Sequence, residues 1–206
     1  MNMASPILLV TEIFPVAGKI DQVAKAWAGL SLPTVSSARA IYRALDDSSC
    51  IELLALEDMS QIALLDSFWQ QSWSAVGADL AGDFQRQLLR FVEAPKNCDT
   101  PLPNTPFIQM RHVEVKPVVY QDYLAWRERT IFEVVRKSEE VQSFLAYHSV
   151  VSTEPGVMFV SGFAVAPEQY LVPFTSPHYQ NIVAEAGNTY ITGGDRGLYT
   201  KIYRAV

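Results

Sequence analysis

Four of the chain's twelve prolines crowd into one fourteen-residue stretch, Glu93 to Pro106. Proline has no amide proton to give a helix or an inner strand, so this stretch is expected to run extended over the surface. It divides the 206 residues into two nearly equal parts. The expected organisation is a first unit over 1–93, a proline-rich linker over 94–106 and a second unit over 107–206. Cys98 lies within the linker and is expected to be exposed.

Composition sets the outer limits. With 49% hydrophobic and 18% charged residues the chain has material for a sizeable core, unlike a disordered polymer. The formal charge is −6, which argues against a nucleic-acid partner, since such proteins carry a basic footprint. Residues 1–100 hold 7 basic and 12 acidic side chains, a net of −5, and residues 101–206 hold 9 and 10, a net of −1. The N-terminal MNMASPILLVTEIFPV lacks a basic leader and is too short to span a bilayer. The two cysteines, Cys50 and Cys98, have no metal-ligand spacing. A cytoplasmic protein that does not engage a membrane is the expectation.

Each part reads in the same order. In the first, ILLVTEIF is strand-like. A helix over 19–29 carries Ile20, Val23, Ala24, Trp27 and Leu30 on one stripe. A hairpin follows from 35–43 and 50–56 around Asp46–Ser49, then a helical region from Met59 broken near Gly77 or Gly82, and a strand over 87–92. In the second, a strand at 107–115 precedes a helix at 118–137. A hairpin of 146–152 with 157–163 turns at Glu154-Pro155-Gly156. Proline followed by glycine suggests a type II turn, which would set Ser152 opposite Phe159 and His148 opposite Phe163. Ser176 is placed to cap a helix that begins at Pro177, and 198–203 closes the unit. Gly193 to Gly197 reads as a tight turn. The fold class is therefore α+β: two ferredoxin-like βαββαβ repeats packed sheet to sheet as a pseudo-twofold α+β barrel. The chain is thus a pseudo-dimer, with further homodimerisation left open.

The segment IYRALDDSSCIELLALEDMSQIALLDSF (Ile41 to Phe68) resembles the antibiotic biosynthesis monooxygenase group of the dimeric α+β barrel superfamily. FIQMRHVEVKPVVYQDYLAWRE (Phe107 to Glu128) is similar to the opening of the related NIPSNAP proteins, and Ser176-Pro177-His178-Tyr179 to a Ser-Pro-His-aromatic stretch of the superfamily. The resemblance implies a small-molecule-binding barrel. Its members include cofactor-free oxygenases of aromatic or quinol-type substrates, haem-degrading enzymes and proteins without a known reaction. Where that family often has a histidine after the hairpin, the first unit has no histidine at all and the second has Phe174 near the corresponding place.

All three histidines and eight of nine tyrosines fall in the second unit, the side chains that exchange protons or bind aromatic ligands near neutral pH. Tyrosines also suit half-buried strands without any function. Arg127 stands in the middle of an apolar stripe where the first unit has Trp27. A guanidinium there needs a ligand anion, a strand acid such as Glu114, or a route to solvent. The candidate catalytic set is His112, His148, Arg127 and Tyr147. Tyr123, Trp126, His178 and Tyr179 are the candidate ligand-binding residues, with a small aromatic or quinone-like molecule as partner. No metal site is expected, because no acidic or cysteine side chain has ligand spacing to the histidines, and the oxygenase reading needs no cofactor. A non-catalytic binding or assembly protein of the same fold is the alternative, and haem binding a further one.

Overall fold

Apolar runs of strand length become eight antiparallel strands in the computed structural model, which describes residues 3–206 apart from the side chain of Asp195. Met1 and Asn2, which open the expected first unit, lie outside the described residues. The strands are β1 (Ile7–Ile13), β2 (Ala38–Ala44), β3 (Cys50–Leu56), β4 (Gln85–Lys96), β5 (Phe107–Val113), β6 (Ser143–Val151), β7 (Val157–Phe163) and β8 (Leu198–Ala205). The helices are α1 (Ile20–Ala28), α2 (Asp66–Val76), α3 (Tyr120–Arg129), α4 (Ile131–Lys137), α5 (Pro167–Thr175) and α6 (Pro177–Thr189). Within each half the strands lie in the order 4-1-3-2, and the two sheets join edge to edge into one closed barrel, β1-β3-β2-β8-β5-β7-β6-β4. The α+β barrel of two ferredoxin-like repeats is the fold of the protein.

Strand alternation assigns the two faces. Leu8 and Val10 of β1, Ile108 and Met110 of β5 and Leu145 and Tyr147 of β6 point into the barrel. Val113, Phe159 and Phe163 point outward to a second core beneath α3 to α6. Residues Ile13 and Cys50 do the same toward α1 with Trp27.

The two seams between halves are unequal. β2 meets β8 at three residue pairs, Tyr42 to Ala44 against Tyr203 to Ala205. β4 meets β6 from Leu88 opposite Val151 to Lys96 opposite Phe144, with bulges on the way. The proline-rich stretch is therefore not all linker, because Glu93–Lys96 is the end of β4. The rest departs from the expected surface course as well. Cys98 and Leu102 are buried among the barrel's inner side chains. Tyr42 donates its hydroxyl hydrogen to Pro103 O at 2.9 Å. Gly162 makes room for this approach, since a Cβ there would lie 2.8 Å from Thr105 Oγ1 and 3.1 Å from Pro103 Cβ. The segment plugs one end of the barrel. An extended chain whose prolines need no amide partner can lie against an open barrel end, where apolar side chains are better buried than exposed.

Three local expectations are corrected. The helix expected over 118–137 breaks at Thr130, at φ −122° and ψ −83°, where the threonine hydroxyl bonds back to Trp126 O at 2.7 Å and competes with the helix ladder. The hairpin register differs: His148 faces Val157 and Ala146 faces Phe159, and Gly156 is not among the glycines with positive φ. Beyond His148, β6 pairs with β4, Ser149 opposite Leu89 and Val151 opposite Leu88. The hairpin closes at Ser149, whose amide donates to Gly156 O at 2.7 Å, so residues 150–155 form a longer loop in place of a tight turn. Finally, α5 occupies a stretch to which the sequence reading gave no element. Pro167 stands in its first turn, and Pro173 lies inside it.

Because both cysteines are buried, neither is expected to react with a thiol-specific chromogenic reagent in the folded protein, and two equivalents should react in denaturant. Fast reaction of one equivalent under native conditions would place Cys98 outside the barrel.

Candidate functional site

The eight side chains singled out by sequence do not form one site, since the sheet separates them. His112 and Tyr147 point into the barrel, and His148, Arg127, Tyr123, Trp126 and Tyr179 belong to its outer, helix-covered side. His178 is exposed in a surface groove beside Glu133, Val134, Lys137 and Val172.

Arg127 is 1% exposed. Its guanidinium bonds to Glu93 of β4, the residue that opens the proline-rich stretch, and not to Glu114. Tyr123, Phe132 and Phe159 surround it, with ring centroids 5.6, 5.1 and 5.7 Å from Cζ. An aromatic cage with one carboxylate accommodates a buried cation. Lys96, three residues further along β4, bonds to the backbone oxygens of Ser138 and Val141 beyond the end of α4. Both contacts fasten the first half's last strand to the helices of the second.

Inside the barrel, His112 lies within 3.3 Å of Gln87 Nε2 through its Nε2 and stacks on Tyr199 at 4.1 Å between centroids. Burial, with a smaller push from Lys201, lowers its pKa to about 3, so it is neutral at physiological pH and a weak base. Burial holds the Tyr147 hydroxyl well above its ordinary pKa. On the outside, His148 packs edge-on against Tyr120 at 5.3 Å, and its Nδ1 lies 3.1 Å from Ser149 O.

Tyr123, Trp126 and Tyr179 do converge. With Ile131, Phe159, Ile182 and Ala186 they line a crevice between α3, α6 and the outer face of the second sheet. Arg111 of β5, which sequence reasoning passed over, enters this crevice. Its Nη1 donates to the Tyr179 hydroxyl and its Nε to Thr200 Oγ1 at 3.1 Å. Tyr190 stacks against Tyr123 and Trp126 at 5.9 and 5.0 Å. The Tyr123 hydroxyl and the Trp126 indole nitrogen are buried without a hydrogen-bond partner, which costs free energy unless an acceptor is supplied. Burial raises the Tyr123 pKa, against a smaller opposing effect of Arg127, so it remains a donor. The crevice volume is about 20 Å³, room for one water. A roomier recess of about 530 Å³ opens among the loops at Glu114, Glu154 and Arg196, but among the described residues no orphaned buried donor lines it. Among the described residues no cluster of three histidine, cysteine or carboxylate side chains is arranged to hold a metal. No helix among them is long and apolar enough to cross a membrane. The signal that could have found Arg111 was available: laying FIQMRHV over ILLVTEI sets Arg111 against Thr11, a charge added to an otherwise similar strand.

No known family profile matches the chain, and no curated protein matches it in sequence. Solved structures do match. An anthrone oxidase-like protein superposes with a TM-score of 0.71 at 9% identity, covering 100% of this chain and 94% of its own. An uncharacterised ferredoxin-fold protein related to antibiotic biosynthesis monooxygenases, from Listeria monocytogenes, gives 0.54 at 10% identity, covering 100% and 96%. A heme-degrading enzyme from the same species gives 0.52 at 8% identity, covering 95% and 98%. At these identities the likeness is one of fold.

Two outcomes follow from the buried groups. Removing the Glu93 carboxylate leaves a caged cation unpaired, so Glu93→Ala is expected to cost about 2–3 kcal/mol by chemical denaturation, whereas Arg127→Met, which leaves a half-exposed carboxylate, costs less than about 1 kcal/mol. The reverse order would show that Arg127 does not depend on Glu93. His112, with a folded pKa of about 3 below its unfolded value near 6.5, binds fewer protons folded than unfolded between those values. Stability should therefore fall as pH drops from 6.5 toward 3, by up to about 1.4 kcal/mol per unit from this group. His112→Gln should flatten that limb in pH-dependent denaturation, and an unchanged limb would refute the assignment.

Proposed function

We propose that the second half binds a flat aromatic molecule carrying a phenolate, enolate or carbonyl oxygen in the crevice between α3, α6 and the sheet. The observation that supports this is a pair of buried donors without acceptors in a crevice that also holds a guanidinium. Arg111 supplies a fixed positive charge, and Tyr123 and Trp126 supply buried donors without partners. Aromatic walls suit a ring system, and the donors suit one electron-rich oxygen at its edge. With a volume of about 20 Å³, the crevice must widen to admit a ring. Movement of α6 or of the joint at Thr130 would open it, and association is expected to be slower than for a preformed pocket. In this reading the first half is the structural partner, and Arg127 fastens the two halves together.

Cofactor-free oxygenation is the second reading, favoured by the fold neighbours named for monooxygenases and anthrone oxidase. The crevice holds none of the three histidines, so no imidazole base acts there. Donors around the oxygen would instead lower the substrate's own pKa so that its proton passes to water, and the stabilised oxyanion is then oxidised as dioxygen takes its electrons. A haem does not fit the crevice as it stands. The macrocycle exceeds a one-water space, and the walls that would have to part are packed aromatic rings.

Titration with anthrone, followed by tryptophan fluorescence and calorimetry, tests the reading. Saturable binding is expected, with Arg111→Met raising Kd about tenfold to a hundredfold and Tyr179→Phe raising it less. Absence of binding, or binding that Arg111→Met leaves unchanged, would refute it. Oxygen uptake by the same mixture without added cofactor separates an oxygenase from a binding protein.

A further inference from the structure

The two halves repeat one strand order, and the end of the barrel away from the linker shows the same contact twice. Val10 of β1 stands opposite Gln87 of β4, and Met110 of β5 stands opposite Lys201 of β8. Val10 and Met110 are each the fourth residue of their strands, so Gln87 and Lys201 occupy one position in the two halves. Two residues on, Glu12 and His112 share another. Across the barrel, Lys201 Nζ lies 3.0 Å from Glu12 Oε1, and Gln87 Nε2 lies 3.3 Å from His112 Nε2. These are the same contact related by the pseudo-twofold, one charged and one neutral.

We propose that this pair of contacts is a pairing code, by which the inner face of each half accepts the other half and rejects a copy of itself. Self-pairing of the second half would set Lys201 against His112 at both places, an ammonium inside the barrel with no carboxylate. Self-pairing of the first would set Gln87 against Glu12 twice, a carboxylate with no cation. Lys201 and Glu12 keep 25% and 21% of their side chains exposed, so a charge left there without its counter-charge is only partly desolvated, and both alternatives carry a moderate penalty. Only the mixed barrel matches cation with anion and neutral with neutral. Two further groups serve the charged contact alone: Ser49 Oγ, 2.7 Å from Lys201 Nζ, and the Tyr203 hydroxyl, 3.4 Å from Glu12.

The full-length chain tests this. Glu12→His reproduces the lysine–histidine contact of a self-paired second half. Lys201→Gln reproduces the glutamine–glutamate contact of a self-paired first half. Each alone is expected to lower the melting midpoint by roughly 5 °C. The double variant Glu12→His/Lys201→Gln carries the neutral contact at both places and should recover most of that loss. Gln87→Lys/His112→Glu, charged at both places, should likewise recover against its own singles. The recovered variants no longer distinguish self from partner. After refolding from denaturant at high concentration they should therefore form chain-exchanged dimers, seen by light scattering, to a greater extent than the wild type. Recovery in at least one pair together with the added dimers supports the code. Additive loss in both pairs, or recovery with a wild-type size distribution, overturns it.

Discussion

Everything in this structure depends on closing two half-covered sheets into one barrel. Each four-stranded sheet buries one face beneath its own helices and leaves the other, lined with leucine, valine and tyrosine, without cover. Each also leaves two open edges, which in water invite pairing with other chains. Edge-to-edge closure removes both liabilities, because β2 joins β8 and β4 joins β6. The inner faces become a shared core that neither half possesses alone, and the chain that links them seals one end with Cys98 and Leu102.

Closure is not symmetric. The β4 strand overshoots its counterpart β8, and the overshoot is the beginning of the proline-rich stretch. Those extra residues reach the second half's helices, with Glu93 at Arg127 and Lys96 at the end of α4. At the other seam three residue pairs suffice. Asymmetry of this kind is open to a tandem chain, whose halves need not be identical. The same freedom places an arginine in the second half's outer core and leaves the polar end of the barrel charged on one side and neutral on the other.

Much of the fold was legible because its signals are local. The run ILLVTEI, the turn residues Asp46 to Ser49 and the Ser176-Pro177 helix start each announce their element through backbone chemistry alone. What was not legible depends on partners distant in sequence. The Glu154-Pro155-Gly156 triplet looks like a tight turn, yet the hairpin closes earlier, at Ser149 and Gly156. Cys98 looks exposed until a barrel end needs filling. Arg127 was rightly suspect on its apolar stripe, yet its partner is Glu93, the last residue of the expected first unit, and not the strand acid Glu114. The candidate ligand residues divided for a simple reason. Alternation along a strand sends Tyr147 inward and His148 outward, and sequence alone does not reveal which face holds the crevice. Three aromatic residues, Tyr123, Trp126 and Tyr179, did come together, and the charge beside them, Arg111, was hidden by its place in an ordinary strand.

With three residue pairs at β2–β8 against the longer β4–β6 pairing, the barrel is expected to open first at the short seam. Native-state hydrogen exchange measures this directly. Amides of Arg43 and Leu45, at the short seam, are predicted to exchange through a partial opening well below the global unfolding free energy. Those of Ala146 and His148, which face β4 across the long seam, should exchange only on global unfolding. Equal protection at both seams, or earlier exchange along β6, would contradict the account.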